Sequence, residues 1–126
     1  MTQDVTVLLV GLDSEIHEEL ASEEGFVVES ASSLDEGLAR VLAPDAVVVA
    51  LEGLGPIEAV GRIHAHAPDA AVVVVTDPTN EADGTVARHA GAEDHLVRGS
   101  IPRGLLPRAI RCSSESAAIY CQNFQR

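Results

Sequence analysis

The sequence predicts an α/β domain, a five-stranded parallel sheet doubly wound with helices on both faces. Three observations carry that prediction. Short apolar runs alternate with segments of helical period five times along the 126 residues. Val47-Val48-Val49 and Val72-Val73-Val74-Val75 are unbroken β-branched stretches, as strands buried on both faces require. Aromatic residues are nearly absent, so Val and Ala must fill the core, which suits a Val-rich sheet under Ala-rich helices. Five β/α units in this length imply one sheet with right-handed crossovers. The chain fits one domain and is long enough to bury a core without disulfides or metal.

The expected strands are Val5–Val10, Phe26–Glu29, Ala46–Ala50, Ala71–Val75 and His95–Val97. The second is shorter and more polar, so it belongs at an edge. Asp13 is placed to cap the first helix, with Glu15, Glu18 and Glu19 near its positive end and Ile16 and Leu20 inward. Ser33-Leu34-Asp35-Glu36 has the spacing of a capping box, followed by Leu34, Leu38, Val41 and Leu42 at helical intervals. Ile57, Val60 and Ile63 mark the third helix. Ala82, Val86 and Ala90 mark the fourth, which should end at Gly91. A fifth helix is expected over Pro102–Arg111, its start blurred by Gly104 and Pro107. Residues 1–112 thus form the expected domain, and 113–126 read as a tail, an extension of the last helix or the stub of a longer chain.

Charge narrows the function. Twenty acidic residues face eight basic ones, all of them Arg, for a formal net charge of −12. Nucleic-acid binding needs a basic patch, so nucleic acid is not an expected partner. Such a charge repels itself in dilute salt and is screened in concentrated salt, which predicts a halophilic protein. No run reaches the 18 or so apolar residues of a membrane span. The opening MTQDVTVLLV lacks the basic start of a signal peptide. Cys112 and Cys121, the two cysteines, make neither a disulfide framework nor a zinc set, so a cytoplasmic location is expected.

In sheets of this kind, ligands bind outside the carboxyl ends of the strands. Four segments near those ends have a familiar form. They are Val7-Leu8-Leu9-Val10 before an acidic helix start, Pro44-Asp45-Ala46-Val47-Val48-Val49-Ala50 with Pro56 beyond, Val73-Val74-Val75-Thr76, and Gly91-Ala92-Glu93-Asp94-His95-Leu96-Val97-Arg98. With these segments the chain resembles response-regulator receiver domains over residues 5 to 111. The resemblance implies a flavodoxin-like strand order of 2-1-3-4-5 and a role in a two-component phosphorelay. It implies a protein partner such as a histidine kinase or an output domain, or a second copy of the chain. The contact surface it implies is the fourth helix, fifth strand and fifth helix, with Arg88, Asp94, Arg103 and Arg108 as polar contacts.

The departures from the family pattern matter more. Receivers take a phosphoryl group on an aspartate heading the third strand, beside a magnesium ion held by an acidic pair after the first. The acceptor position here is Ala50, and the acidic-pair positions are Gly11 and Leu12. None of these side chains offers a nucleophile or the oxygen ligands a hard cation needs. Neither magnesium nor another cofactor is therefore expected, and catalysis is not. Thr76 matches the family's hydroxyl residue and is expected to be satisfied by backbone. Arg98 replaces the family's lysine and should pair with Glu52 or Asp77, and Gly99 replaces the proline that follows. Asp13, Glu52 and Asp77 ring the mouth as a residual acidic pocket, each with an ordinary role as cap, loop or turn residue. His95 occupies the aromatic switch position, where it is either a pH-sensitive ring or a half-exposed strand histidine. His64 and His66, two apart on a helix, should be surface residues.

The leading expectation is a degenerate receiver that is not phosphorylated and acts by protein contact. Two alternatives stay open: a small ligand in the emptied pocket, and residual phosphorylation at Asp13 or Glu52. A flavin carrier would need a hydroxyl- and glycine-rich phosphate loop where Asp13 and Glu15 stand. A cobalamin domain would need an Asp-x-His-x-x-Gly run that is missing there.

Overall fold

The computed structural model describes residues 5–11, 14–22, 25–41, 44–51, 55–99 and 110. Five strands, β1 (Val5–Val10), β2 (Phe26–Ala31), β3 (Ala46–Ala50), β4 (Ala71–Thr76) and β5 (Asp94–Val97), pair in parallel in the order β2-β1-β3-β4-β5. Between them lie α1 (Ser14–Ala21), α2 (Leu34–Arg40), α3 (Pro56–His66) and α4 (Glu81–His89), the last preceded by a 3₁₀ turn at Pro78–Asn80. This is the doubly wound architecture that the alternation of runs predicts. No helix among the described residues is long and apolar enough to cross a membrane.

Alternation of side chains along the strands divides the core in two. Leu8, Val10, Val47, Val49, Val72 and Val74 meet Leu34 and Leu38 of α2, Val60 and Ile63 of α3, and Ala87 of α4. Val7, Leu9, Val48, Val73, Val75 and Leu96 point the other way, toward Leu20 of α1 and Ile110. Every residue of β3 and β4 is buried. Each such valine contributes about 1.5–3 kcal/mol relative to exposure, so the central strands anchor the fold. At the start of the sheet, Asp45 joins β1 to β3, accepting from the Thr6 amide at 2.9 Å and donating its own amide to the Thr6 carbonyl at 2.8 Å.

Several local expectations need correction. The second strand runs to Ala31, two residues further than its polarity suggests, because Ser30 and Ala31 still find partners in Leu9 and Val10. Its edge position holds. The capping box at Ser33 is half made: Ser33 Oγ accepts from the Glu36 amide at 3.2 Å, while the Glu36 carboxylate takes a bond from Ser32 Oγ at 3.0 Å. Helix α2 stops at Arg40, and Val41 is its extended cap, so Val41 does not continue the helix. Ile57 is 65% exposed although its spacing from Val60 and Ile63 suggests core. Its place in the first turn of α3 carries it beyond the sheet.

The largest change concerns α4. Ala82 and Val86 are exposed, and the inward residues are Gly84 and Ala87. The helix is rotated this way because the His95 ring of β5 lies beneath it, and a Cβ on Gly84 would overlap that ring. Apolar spacing alone does not reveal a neighbour's ring. The helix does end as expected, with Gly91 just past the Ala90 cap at φ 123°. The expected fifth helix lies outside the described residues apart from Ile110, which is helical and fully buried.

Candidate functional site: the carboxyl mouth of the sheet

The carboxyl ends of β1, β3, β4 and β5 bring Gly11, Ala50, Thr76, Asp77 and Arg98 to one end of the sheet. Ala50 heads the central strand with 8% of its surface exposed. Gly11 stands beside it, just past the end of β1: a Cβ there would sit 3.7 Å from the Ala50 Cβ. The Gly11 backbone has φ 69°, in the left-handed region that favours glycine. An acid placed there would have to bear a conformation that L residues adopt rarely.

Across the mouth, polar contacts close the ends of β4 and β5 on each other. The Arg98 amide donates to the Thr76 carbonyl at 2.6 Å, and Arg98 Nη1 reaches Asp77 Oδ1 at 3.4 Å. Asp77, one of the two partners expected for Arg98, is found in contact with it. Glu52, Leu12 and Asp13 lie outside the described residues. Asp77 also caps the 3₁₀ turn, since its amide donates to Asn80 Oδ1 at 2.7 Å and its carbonyl accepts from the Asn80 amide at 3.0 Å. Asn80 Nδ2 then donates to the Leu51 carbonyl at 3.4 Å, tying the end of β4 to the end of β3. Sequence reasoning passed over Asn80. The Asp77-Pro78-Thr79-Asn80 run, an acid before proline with an amide three residues later, is the signal that could have found it.

Thr76 is 2% exposed, and its Oγ1 lies 2.7 Å from His95 Nε2. The expectation that backbone satisfies this hydroxyl is thus corrected: a side chain does. Register explains the contact. His95 sits opposite Val74 on the adjacent strand and Thr76 opposite Val97, so the two side chains are diagonal neighbours on the α4 face. His95 is half-buried, as a strand histidine should be, and its ring fills the space over Gly84. The arrangement joins β4, β5 and α4 through one hydrogen bond and one close contact. Gly84 is the second residue that sequence reasoning missed. A buried glycine in mid-helix is its only mark in the chain.

The expected contact residues divide. Arg88 is exposed on α4. Asp94 is half-buried at the start of β5, and its carboxylate accepts from the adjacent His95 amide at 2.8 Å. Arg103 and Arg108 lie outside the described residues. His66 is exposed, with Nε2 3.3 Å from the Val41 carbonyl, whereas His64 is half-buried beside Gly91 and so is not the free surface residue expected. No group of three His, Cys, Asp or Glu able to hold a metal ion occurs among the described residues.

A doubly wound parallel sheet in the order β2-β1-β3-β4-β5 is the flavodoxin-like class of α/β fold, to which receiver domains belong. Solved structures of that class align with nearly the whole chain. A response regulator receiver domain protein from Clostridium thermocellum has a TM-score of 0.72 at 21% identity, covering 97% of this chain and 99% of its own. A response regulator from Burkholderia pseudomallei, whose structure holds a phosphorylated aspartic acid, a calcium ion and citrate, has a TM-score of 0.67 at 22% identity over 95% and 72%. An adenylate cyclase from Rhodopirellula baltica matches at 0.74 and 16% identity over 95% and 94%. No protein-family model and no curated protein matches the sequence. At these identities the likeness shows the fold: this chain has the architecture of response-regulator receiver domains.

Proposed function

We propose that this chain is a receiver-fold module of two-component signalling that accepts no phosphoryl group at its central strand and works through protein contact. One observation carries the reading. The head of β3 presents the methyl group of Ala50, walled by a left-handed Gly11, where phosphoryl transfer needs an attacking oxygen and a cation to neutralise charge. Arg98, the one guanidinium described at the mouth, is engaged with Asp77. Two of the three solved structures described above are response regulators by name and the third is an adenylate cyclase, which supports a signalling role, and the partner in this reading is a histidine kinase or an output domain.

Incubation with a small phosphodonor and magnesium, followed by intact-mass measurement, tests the proposal. The mass should stay unchanged. A gain of one phosphoryl group, at any carboxylate of the mouth, would overturn it. The single substitution Ala50→Asp should also fail to gain that mass, because the cation would still lack its acidic pair. Ready labelling of that variant would mean that the mouth is better equipped than this reading allows.

A further inference from the structure

We infer that Arg40 guards the open edge of the sheet, closing β2 against strand addition by a second copy of the chain. Strand β2 is one of the two outer strands. At six residues it is longer than β5 at the other edge, which has four. Short edge strands are safe, whereas a longer one presents a row of backbone groups to any strand that comes near. The ladder shows which groups those are. The Val5 amide bonds the Gly25 carbonyl at 2.7 Å and the Gly11 amide bonds the Ala31 carbonyl at 3.0 Å. Odd-numbered residues therefore face β1, and Val28 and Ser30 turn their backbone groups outward.

Arg40 lies across that edge. Its Nη1 donates to the Ser30 carbonyl at 3.0 Å, and its Nη2 reaches Glu29 Oε1 at 3.4 Å. Glu36, one turn back on α2, stands 3.6 Å from Nη1 and itself takes a bond from Ser32 Oγ at 3.0 Å. A flat guanidinium fork can serve a carbonyl and two carboxylates at once, which an ammonium on the same stem does poorly. Two features of α2 bring it there. Val41 ends the helix in an extended cap, which leaves Arg40 in the last turn. Buried Gly37 lets the helix lie close to the sheet, since a Cβ there would stand 3.0 Å from Leu8 and 3.2 Å from Ala31. Exposed ion pairs add little stability, so the bond to an outward carbonyl calls for another reason.

A second copy would approach antiparallel, with the two Val28 residues face to face. They would exchange both backbone bonds, and the next bond at either end would need a Ser30 carbonyl. Two-fold symmetry repeats every contact. The two Arg40 side chains thus occupy both of those carbonyls and leave only the central pair of bonds. Each also sets a charged group in the path of the incoming strand. None of this depends on how the mouth of the sheet handles a phosphoryl group.

Sedimentation velocity of the full chain tests the inference at about 0.1 mM in roughly 0.15 M salt, where a screening length of about 8 Å damps the distant charges. Arg40→Ala should associate at least about tenfold more tightly than the parent, because two backbone bonds become available. Arg62→Ala makes the same change of charge on α3, away from the edge, and should match the parent. Adding Val28→Lys to Arg40→Ala sets like charges directly opposite each other and should return association to the parent's level. The outward Val28 amide should exchange its hydrogen at least about tenfold more slowly in associated Arg40→Ala than in the parent. Thermal melting checks folding, and if Val28→Lys melts early the Val28 exchange rate decides in its place.

Association through any other face would be equal in all these proteins and would cancel in the comparison. Arg40→Ala no tighter than the parent, an equal gain in Arg62→Ala, or association that leaves the Val28 amide unprotected or survives Val28→Lys would each overturn the inference. A chain that gains a phosphoryl group at the mouth would lose the functional reading above and leave the guarded edge standing.

Discussion

Replacing Gly84 with alanine should destabilise the domain by about 2–4 kcal/mol and lower its melting temperature by roughly 10 °C. The sign is the opposite of what a helix interior normally shows, where alanine is better than glycine by about 1 kcal/mol. The added Cβ would overlap the His95 ring, so either that ring leaves or α4 lifts from the sheet. If the ring leaves, the Thr76 hydroxyl loses its 2.7 Å partner at a position only 2% exposed. A buried hydroxyl without a partner costs about 1–3 kcal/mol, and the displaced packing adds a similar amount.

The same substitution in a His95→Ala background should be neutral or stabilising by up to about 1 kcal/mol, because the obstruction has gone and only helix propensity remains. His95→Ala alone should be destabilising by about 1–3 kcal/mol through the orphaned Thr76 hydroxyl. Denaturant titration of the four proteins of this cycle checks the claim. Equal cost of Gly84→Ala in both backgrounds would mean that the contact does not set the position of α4.

Raising sodium chloride from about 0.1 M to 2 M should raise the melting temperature by on the order of 10 °C. The formal charge of −12 on 126 residues makes the compact state repel itself. At about 1 M the screening length falls to roughly 3 Å, shorter than the spacing of most surface charges. Relief of two or three kilocalories of repulsion would give a shift of about this size. Chloride is the informative anion, because sulfate stabilises nearly any protein by surface exclusion. Glu18, Asp69 and Glu81 are exposed and make no ion pair among the described residues. The triple variant Glu18→Gln, Asp69→Asn, Glu81→Gln should therefore flatten the salt curve. Equal stability of the parent protein in both salts would remove the halophilic reading.

Much of the fold was legible because burial writes itself into the chain. A strand covered on both faces must be apolar at every position, so the valine runs of β3 and β4 announced central strands. The edge was legible for the converse reason, since β2 carries Glu29 and Ser30 where one flank meets solvent. Boundaries were less legible. Nothing in Ser30 or Ala31 says that they pair with Leu9 and Val10, because a ladder bond depends on what the neighbouring strand presents. Ile57 and Val86 misled for a related reason: spacing reports which residues share a face, but the orientation of that face depends on the docked partner.

At the mouth, the chain alone specified the chemistry that the side chains can supply, since no folding can give Ala50 a nucleophile or Gly11 a carboxylate. It also specified the charge and the order of the elements. Tertiary structure decided the pairings: Thr76 with His95, Arg98 with Asp77, Asn80 with Leu51, and the rotation of α4 that turns Arg88 and Glu81 outward. The three pairings join residues from 19 to 29 positions apart. Strand register and the volume of a single imidazole ring determine them, and neither quantity is local to the stretch of chain that bears each residue.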